Sequence, residues 1–268
     1  MTVLRLTLKI SPQQRLDCNP LTPCKLAGMS IAEIASIPIY YGKKKLRVDE
    51  IFTLSGENGS HIVFENSNSK LDCIGTFMQF GEITILGDTG TKLGFKMSGG
   101  NITCTGNVGD FAASGMIHGL IQIQGNVGDF LGGAAIGERK GMRGGTVIVK
   151  GNAGDRVGDQ MRRGLILIEG NTGDYCASRM IAGTIGVRGF LGAYTAFGMR
   201  RGTLLLSTQP TLYSTIQDCG THTLPFLNLL LKSFQQFDTQ FKLLTIQRVQ
   251  RFVGDLAANG NGEILVIK

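Results

Sequence analysis

Residues 142–180 read MRGGTVIVKGNAGDRVGDQMRRGLILIEGNTGDYCASRM, which is two copies of one 19-residue pattern followed by the methionine of the next copy. Each copy begins with methionine, continues through glycine to alternating aliphatic residues and a Gly-Asn-x-Gly-Asp turn, and has five further residues after the turn. Apolar residues two apart predict a short strand with one buried face, and Asn and Gly provide the positive-φ conformations of a tight corner. Such a unit cannot bury its own apolar face, so the pattern predicts a stack of units.

The same pattern occurs seven times along the chain. Successive repeat glycines are 19 residues apart, except for a spacing of 26 between Gly119 and Gly145, where seven extra residues lie around 133–141 (GAAIGERKG). The second and fourth residues after each glycine are aliphatic except for Cys104. The repeat glycines, and the methionines three residues before them, are Gly81, Gly100, Gly119, Gly145, Gly164, Gly183 and Gly202, with Met78, Met97, Met116, Met142, Met161, Met180 and Met199. We expect the methionines and aliphatic residues to line the interior.

The flanking segments predict caps on the stack. The expected domains are an N-terminal cap and entry (1–76), the repeat domain (77–207), and a C-terminal helical cap with a final strand (208–268). Apolar residues at outward positions of the later strands, such as Leu167 and Leu205, should be covered by the C-terminal helices or by another subunit. In the caps we expect helices near Ser30–Ser36, Leu224–Phe237 and Phe241–Leu256, and strands at Arg47–Leu54, His61–Phe64 and the final GEILVIK.

Composition disfavours chemistry performed by this chain alone. Three histidines form no HExxH or HxH pair, and neither GxSxG nor a P-loop occurs. We therefore predict no catalytic residue and no metal site. The segment Asp218–His222 could be taken for a Cys/His or Asp/His catalytic pair, but a polar turn that joins the repeats to the C-terminal segment is the favoured interpretation. Six widely spaced cysteines without a CxxC pair predict reduced thiols: Cys18, Cys24, Cys73, Cys104, Cys176 and Cys219.

The net charge of +7 is concentrated in residues 138–201, which hold eleven Lys or Arg against five Asp or Glu. Stacked repeats would align these cations along one edge. The edge is either a solvated surface or a site for an anionic ligand or an acidic partner, and nucleic acid is disfavoured because no aromatic residues interleave the arginines. The predicted contact residues are Arg139, Lys140, Arg143, Arg162, Arg163, Arg200 and Arg201.

The aspartates of the corner turns leave two interpretations open. Calcium binding by analogy with β-rolls is one, although the chain lacks their nine-residue repeat. Hydrogen bonding to backbone amides of the corners is the favoured one. The four aspartates are Asp110, Asp129, Asp155 and Asp174. The extra residues at 133–141 are either a tolerated loop or a partner contact.

The repeat resembles the C-terminal domain of the glutamate synthase large subunit and the C-subunit family of formylmethanofuran dehydrogenase and the bacterial formyltransferase/hydrolase complex. The segments Met161-Arg-Arg-Gly-Leu, Asp218-Cys-Gly-Thr-His and Phe252-Val-Gly-Asp-Leu resemble the bacterial C subunit. The resemblance extends over nearly the whole chain. It implies a mainly β fold: a right-handed β-helix (solenoid) of about seven 19-residue coils, with an N-terminal α/β cap and C-terminal helices.

The resemblance also implies a function. The bacterial complex transfers a formyl group from formyl-tetrahydromethanopterin to methanofuran and hydrolyses formylmethanofuran to formate, in one-carbon metabolism. This chain would be a scaffold without its own cofactor, in a hetero-oligomer with subunits A, B and D, such as a dimer of heterotetramers. Methanofuran with its polyglutamate tail, and zinc, are expected in the partner subunits. The strand-like start and the lack of an apolar run of about 20 residues predict a cytoplasmic chain away from membranes.

Two alternatives remain at this stage. The chain could be the C subunit of an archaeal-type dehydrogenase, whose partner carries a molybdenum or tungsten pterin. It could instead be a stand-alone solenoid that binds acidic polymers, although the apolar outward positions argue against this.

Overall fold

The computed structural model describes residues 3–268; Met1 and Thr2, part of the predicted N-terminal cap, lie outside the described residues. With 34% of residues in strands and 11% in helices, the chain is mainly β, as the sequence predicts. The strands are β1 (Val3–Leu8), β2 (Leu16–Asp17), β3 (Pro38–Tyr41), β4 (Lys44–Arg47), β5 (Phe52–Ser55), β6 (Asn58–Ser67), β7 (Leu71–Asp72), β8 (Glu82–Gly87), β9 (Asn101–Cys104), β10 (Leu120–Ile123), β11 (Arg143–Val149), β12 (Arg163–Ile168), β13 (Thr184–Val187), β14 (Thr203–Leu206), β15 (Gln217–His222), β16 (Val249–Gly254) and β17 (Gly262–Ile267). The helices are α1 (Pro23–Leu26), α2 (Ile31–Ser36), α3 (Val48–Ile51) and α4 (Phe226–Phe234), with 3₁₀ turns at Gln240–Leu243 and Leu256–Ala258.

One 13-stranded sheet runs the length of the molecule in the order β15-β16-β17-β14-β13-β12-β11-β10-β9-β8-β6-β1-β5. From β8 to β14 each repeat contributes one strand, and neighbouring strands pair in parallel with equivalent residues opposite each other, as Ile102, Ile121 and Val147 are. Parallel pairing continues into β6 at one end and β17 at the other. Since the repeat strands are parallel and in register, identical repeat positions lie directly above one another.

The core follows the repeat. All seven repeat methionines are fully buried, and every inward strand position from Ile83 to Leu206 is at most 1% exposed. The cysteine exception, Cys104, is also fully buried, and all six cysteines are free thiols. The prediction that methionine and aliphatic residues line the interior is confirmed.

The corners are held by side chains that bond to the following repeat. Asp155 accepts the N–H of Asp174 at 2.8 Å, and Asn152 accepts the N–H of Asn171 at 2.8 Å. A row of single parallel bridges, Thr89-Val108-Val127-Ala153-Thr172-Leu191, joins the same corners. The corner aspartates therefore bond to backbone amides, as the favoured interpretation predicted, and each corner N–H and carboxylate satisfies the other.

The N-terminal cap contains the predicted helix and strand, with one error. Ser30 and Glu33 form a capping box at the start of α2, and the predicted strand at His61–Phe64 lies within β6. The strand predicted at Arg47–Leu54 is wrong in its centre, because Val48–Ile51 forms one helical turn between β4 and β5. Val48 and Ile51 are both buried and stand three residues apart, a spacing that suits one face of a helical turn, whereas residues three apart in a strand lie on opposite faces.

The C-terminal cap is a strand extension with a single α-helix, so the predicted second helix at Phe241–Leu256 is wrong. Residues 249–254 form β16, which pairs antiparallel with the correctly predicted final strand β17. Strand β15 then pairs antiparallel with β16 and forms the sheet edge. Pairing with β17 extends the sheet past the last repeat, and local apolar spacing does not report such a distant partner.

The apolar outward positions are covered by this segment. Leu167 and Leu205 are buried against Leu231, Phe234 and Phe241. Between them in the stack, Gly186 has no side chain, and a β-carbon there would lie 2.7 Å from Cε1 of Phe241. The expectation that the C-terminal segment covers the late outward positions is confirmed. The domain boundaries at 76/77 and 207/208 stay predictions.

Candidate anion- and partner-binding surface

The arginines of the basic edge are positioned by the repeat methionines that precede them in the sequence. Arg143, Arg162 and Arg200 each follow a methionine, and each N–H donates to a methionine carbonyl one repeat earlier, as Arg162 does to Met142 at 2.8 Å. This bonding fixes the three arginines at the same corner of the fourth, fifth and seventh repeats, and all three are exposed. The sixth repeat has Ile181 at this position, so stacking aligns the cations along one edge with one apolar interruption.

Four arginines line one groove of about 530 Å³ on this edge. Arg162 and Arg200 come from the repeats, Arg139 from the insertion at 133–141, and Arg179 from the residue before Met180. The groove is a candidate anion site because guanidinium groups donate paired hydrogen bonds to carboxylate or phosphate. Guanidinium groups in general suit the attraction and orientation of an anion rather than proton transfer.

Arg179 is the groove residue that sequence reasoning missed. Its Nε and Nη2 both donate to the Asp159 carboxylate, at 2.9 and 2.5 Å, and Ser178 Oγ donates to the same carboxylate at 2.6 Å. Asp159 is only 1% exposed. The hydrogen bond to Asp159 raises the pKa of Arg179. The sequence does hold a signal for this ion pair, because the acidic Asp159 stands about one repeat before the basic Arg179.

A second groove of about 440 Å³ adjoins the insertion and is lined by Lys96, Arg139, Lys140 and Arg143. Its one carboxylate, Glu138, forms an ion pair with Lys96 at 2.8 Å. The hydrogen bond from Lys96, together with the nearby positive charges, holds the pKa of Glu138 below its ordinary value. Because Arg139 lines both grooves, the insertion connects them.

The structure brings most of the predicted contact residues together, but not all. Arg139, Lys140, Arg143, Arg162 and Arg200 line the two grooves. The other two, Arg163 and Arg201, are exposed and line neither groove. Within residues 3–268, none of the seven forms an ion pair, whereas Arg179 and Lys96, which line the same grooves, are paired with Asp159 and Glu138.

The Asp218–His222 segment is the edge strand β15 with a tight turn inside it, rather than the predicted connecting turn. Gly220 has φ +82°, and its N–H donates to Asp218 Oδ1 at 2.7 Å. His222 Nε2 lies 2.7 Å from the Cys219 carbonyl oxygen, and the Cys219 thiol is directed to the Gln217 carbonyl. Both groups are therefore engaged by backbone atoms and not by each other.

Two further observations concern metals and membranes. In the part of the chain that the structure describes, no group of three or more His, Cys, Asp or Glu is arranged to hold a metal ion. Over the same residues, every helix is too short or too polar to cross a membrane.

The fold and surface define a class of protein: a mainly β chain of stacked repeats with a long parallel sheet and a basic edge.

No family model matches the sequence. The chain is 39% identical over 80 residues to the C subunit of the formyltransferase/hydrolase complex Fhc of Methylorubrum extorquens, an alignment that spans 30% of each chain. It is 33% identical over 99 residues to the C subunit of the tungsten-containing formylmethanofuran dehydrogenase 2 of Methanothermobacter marburgensis, spanning 35% of this chain and 37% of the relative. The aligned regions thus span about a third of these curated relatives.

The structural comparison extends over the whole chain. In the crystal structure of the formyltransferase/hydrolase complex (FhcABCD) from Methylorubrum extorquens with methylofuran, one chain superimposes with a TM-score of 0.93 and 38% identity. The superposition covers 98% of this chain and 99% of that one. The chain belongs to the family of the C subunit of the formyltransferase/hydrolase complex, which is related to the C subunit of formylmethanofuran dehydrogenase.

Proposed function

We propose that this chain is a non-catalytic scaffold subunit of a formyltransferase/hydrolase complex. In such a complex a formyl group passes from formyl-tetrahydromethanopterin to methanofuran, and formylmethanofuran is hydrolysed to formate. The observation that carries the proposal is the superposition over 99% of a chain of the FhcABCD complex at 38% identity. In this proposal the catalytic residues and the zinc are in partner subunits, and this chain holds subunits A, B and D together.

The proposed architecture suits a scaffold. We take the stacked repeats to be coils of a right-handed β-helix, with the methionine rows as the common core. Parallel pairing from β8 to β14 and the two rows of corner hydrogen bonds support this interpretation. Each repeat is bonded to its neighbours at the strand and at the corners, so the molecule resists bending between its ends. A rigid body of this kind can hold two catalytic subunits at a fixed separation.

The two grooves supply the proposed contact with an anion. The polyglutamate tail expected on methanofuran is a chain of carboxylates, and the groove at Arg139, Arg162, Arg179 and Arg200 offers four guanidinium groups, of which Arg162 and Arg200 share a repeat position two repeats apart. Arg179 is held in place by a buried carboxylate, which reduces the ordering cost of binding. Acidic residues of a partner subunit are the rival occupant of the same groove.

Charge reversal in the intact complex separates these occupants. The double variant Arg162→Glu, Arg200→Glu should raise the apparent KM for long-tailed methanofuran and leave the KM for a tail-truncated substrate unchanged. The matched control Arg163→Glu, Arg201→Glu reverses the same number of charges at exposed positions outside both grooves, and it should have a much smaller effect. An unchanged KM in a normally assembled complex would contradict tail binding, and failure to assemble would assign the arginines to a partner subunit.

The scaffold role has its own test. The partner subunits should be expressed with and without this chain, and their particle mass and their separate transfer and hydrolysis rates should be measured. We expect the rates of the individual subunits to persist while the joint particle is lost. Loss of hydrolysis or transfer itself would contradict a non-catalytic role.

A further inference from the structure

The insertion at 133–141 exposes one large apolar side chain at its tip. Ile136 is 91% exposed, the highest value among the large hydrophobic residues of the described chain. It lies between Ala135 and Gly137, and Gly137 has φ +83°. An isoleucine in this position has almost no contact with its own protein, so it adds nothing to the core.

The loop that carries Ile136 is held in place. Ala134 N–H donates to the Asp159 carbonyl at 3.0 Å, and Gly141 N–H donates to the Gln160 carbonyl at 3.1 Å. Within the loop, Glu138 N–H donates to the Ala135 carbonyl at 2.9 Å, and the Glu138 carboxylate pairs with Lys96 from two repeats earlier. A side chain on a preorganised turn can dock without the entropy cost of ordering a loop.

An apolar cleft lies beside the tip. It has a volume of about 160 Å³ and is lined by Ile136, Ala135, Phe95, Phe111, Lys92 and Glu138. The ring of Phe111 stacks on Phe130 at 4.9 Å between centroids, which fixes one wall of the cleft. The surface therefore offers a projecting apolar residue next to an aromatic recess, an arrangement typical of interface anchors.

The charge around the tip indicates the chemistry of its partner. Lys92, Arg139, Lys140 and Arg143 lie in or beside the insertion and form no ion pair within residues 3–268, whereas Glu138 is paired with Lys96. Lys140 and Arg143 also interact with the Glu138 carboxylate, but one carboxylate among five cations leaves a positive surface, which attracts an acidic surface and disfavours a second copy of this basic chain. The expected partner surface is an apolar pocket bordered by Asp and Glu.

We propose that Ile136 anchors a partner subunit whose apolar pocket is bordered by carboxylates, with Phe95 and Phe111 receiving an apolar side chain of that partner. The inference rests on the proposed function, because it takes the partner to be another subunit of the complex. It assigns a docking role to the tip of the insertion, at Ile136, whereas Arg139 of the same insertion lines the groove around Arg162 and Arg200.

The test replaces the anchor and measures assembly. Tagged chain carrying Ile136→Asp should be combined with the partner subunits, and the dissociation constant should be measured by mass photometry on dilution. We expect it to rise roughly tenfold or more, the effect of losing an interface anchor. The matched control Ile136→Leu retains an apolar side chain of similar volume and should change the constant less than about twofold. The melting temperature of the isolated Ile136→Asp chain should equal that of the unsubstituted chain, since the side chain is exposed.

The outcomes separate this inference from the proposed function. An unchanged dissociation constant for Ile136→Asp, in a complex that the unsubstituted chain does form, would overturn the anchor alone. Failure of the unsubstituted chain to bind any partner subunit would contradict the proposed function itself. A self-association of the free chain that Ile136→Asp abolishes would assign the tip to a second copy and overturn the inference.

Discussion

The methyl group of Met142 lies 2.8 Å from the point where a β-carbon on Gly164 would stand. The same relationship joins Met161 to Gly183, at 2.9 Å. Each repeat methionine thus fills the space above the glycine of the next repeat, which explains why the two residue types recur together. The methionine stands three residues before its own glycine but packs against the following one.

Substitution of a repeat glycine should therefore be costly. Gly164 has φ +109°, and its β-carbon would meet the Met142 methyl group and, at 2.9 Å, the Gly145 carbonyl oxygen. We expect Gly164→Ala to lower the free energy of unfolding by roughly 2 to 5 kcal/mol, from overpacking and backbone strain together. Gly220→Ala is the control, because Gly220 has φ +82° and open space around its β-position. It should cost about 1 kcal/mol in urea unfolding; equal losses for the two variants would show that packing by Met142 is unimportant.

The contact should also appear as coupling between the two positions. Met142→Ala alone should cost about 2 to 5 kcal/mol, because it removes a fully buried side chain. In the double variant with Gly164→Ala, the removed methionine leaves room for the new methyl group. The double variant should therefore lose less stability than the sum of the two single losses. Strict additivity in urea unfolding would contradict the packing relationship.

The corner aspartates should behave as hydrogen-bond acceptors. Asp155→Ala removes the acceptor of the Asp174 N–H and should cost about 1 kcal/mol, whereas Asp155→Asn keeps an acceptor oxygen and should cost less. Calcium at millimolar concentration, or its removal with a chelator, should leave the melting temperature unchanged. A calcium-dependent rise in melting temperature that Asp155→Asn abolishes would restore the calcium interpretation.

The buried thiols should be protected from alkylation. Burial raises the pKa of Cys104 to about 11 and that of Cys176 to about 12, above the ordinary value of 9.0. At pH 8 both groups are protonated and inaccessible in the folded chain, so iodoacetamide should modify them far more slowly than in urea. Mass spectrometry of partially alkylated protein gives the comparison, and equal rates in the folded and unfolded chains would contradict the burial.

The same two thiols should make stability depend on pH. The unfolded chain loses these protons near pH 9, whereas the folded chain retains them to a higher pH, so the unfolded state binds fewer protons in between. Their contribution to stability is therefore complete below about pH 9 and is lost as the pH rises toward 11 to 12. Cys104→Ala should reduce the fall in melting temperature between pH 9 and 10; an identical fall would contradict a raised pKa for Cys104.

The repeat made most of the fold predictable. A 19-residue period fixes which residues lie above one another, so the buried methionines, the inward aliphatic positions and the Asp155 corner bonds follow from spacing alone. The C-terminal cap did not follow, because β16 exists through pairing with β17 and its apolar spacing also suited a helix. The turn at Val48–Ile51 was missed because a four-residue helical turn between two strands is too short to show a helical period.

The positive charge of the candidate site could be predicted from the sequence, but the full set of residues that line the groove could not. The position after each methionine identified Arg162 and Arg200, which share a groove. Arg179 was missed because its position depends on the carboxylate of Asp159 in the preceding repeat, a contact outside the methionine pattern. The register shift between β11 and β12 places Arg163 beside Arg143, which the periodic spacing alone would not have paired.

The proposed subunit role is tested by gentle affinity purification of the tagged chain from its native host, with identification of the co-purifying proteins and analysis of bound metals. We predict stoichiometric partners that resemble a formyltransferase and a zinc amidohydrolase, without molybdenum or tungsten. A partner carrying a molybdenum or tungsten pterin would instead identify the chain as a subunit of a formylmethanofuran dehydrogenase. A monodisperse chain that elutes alone would contradict the scaffold role.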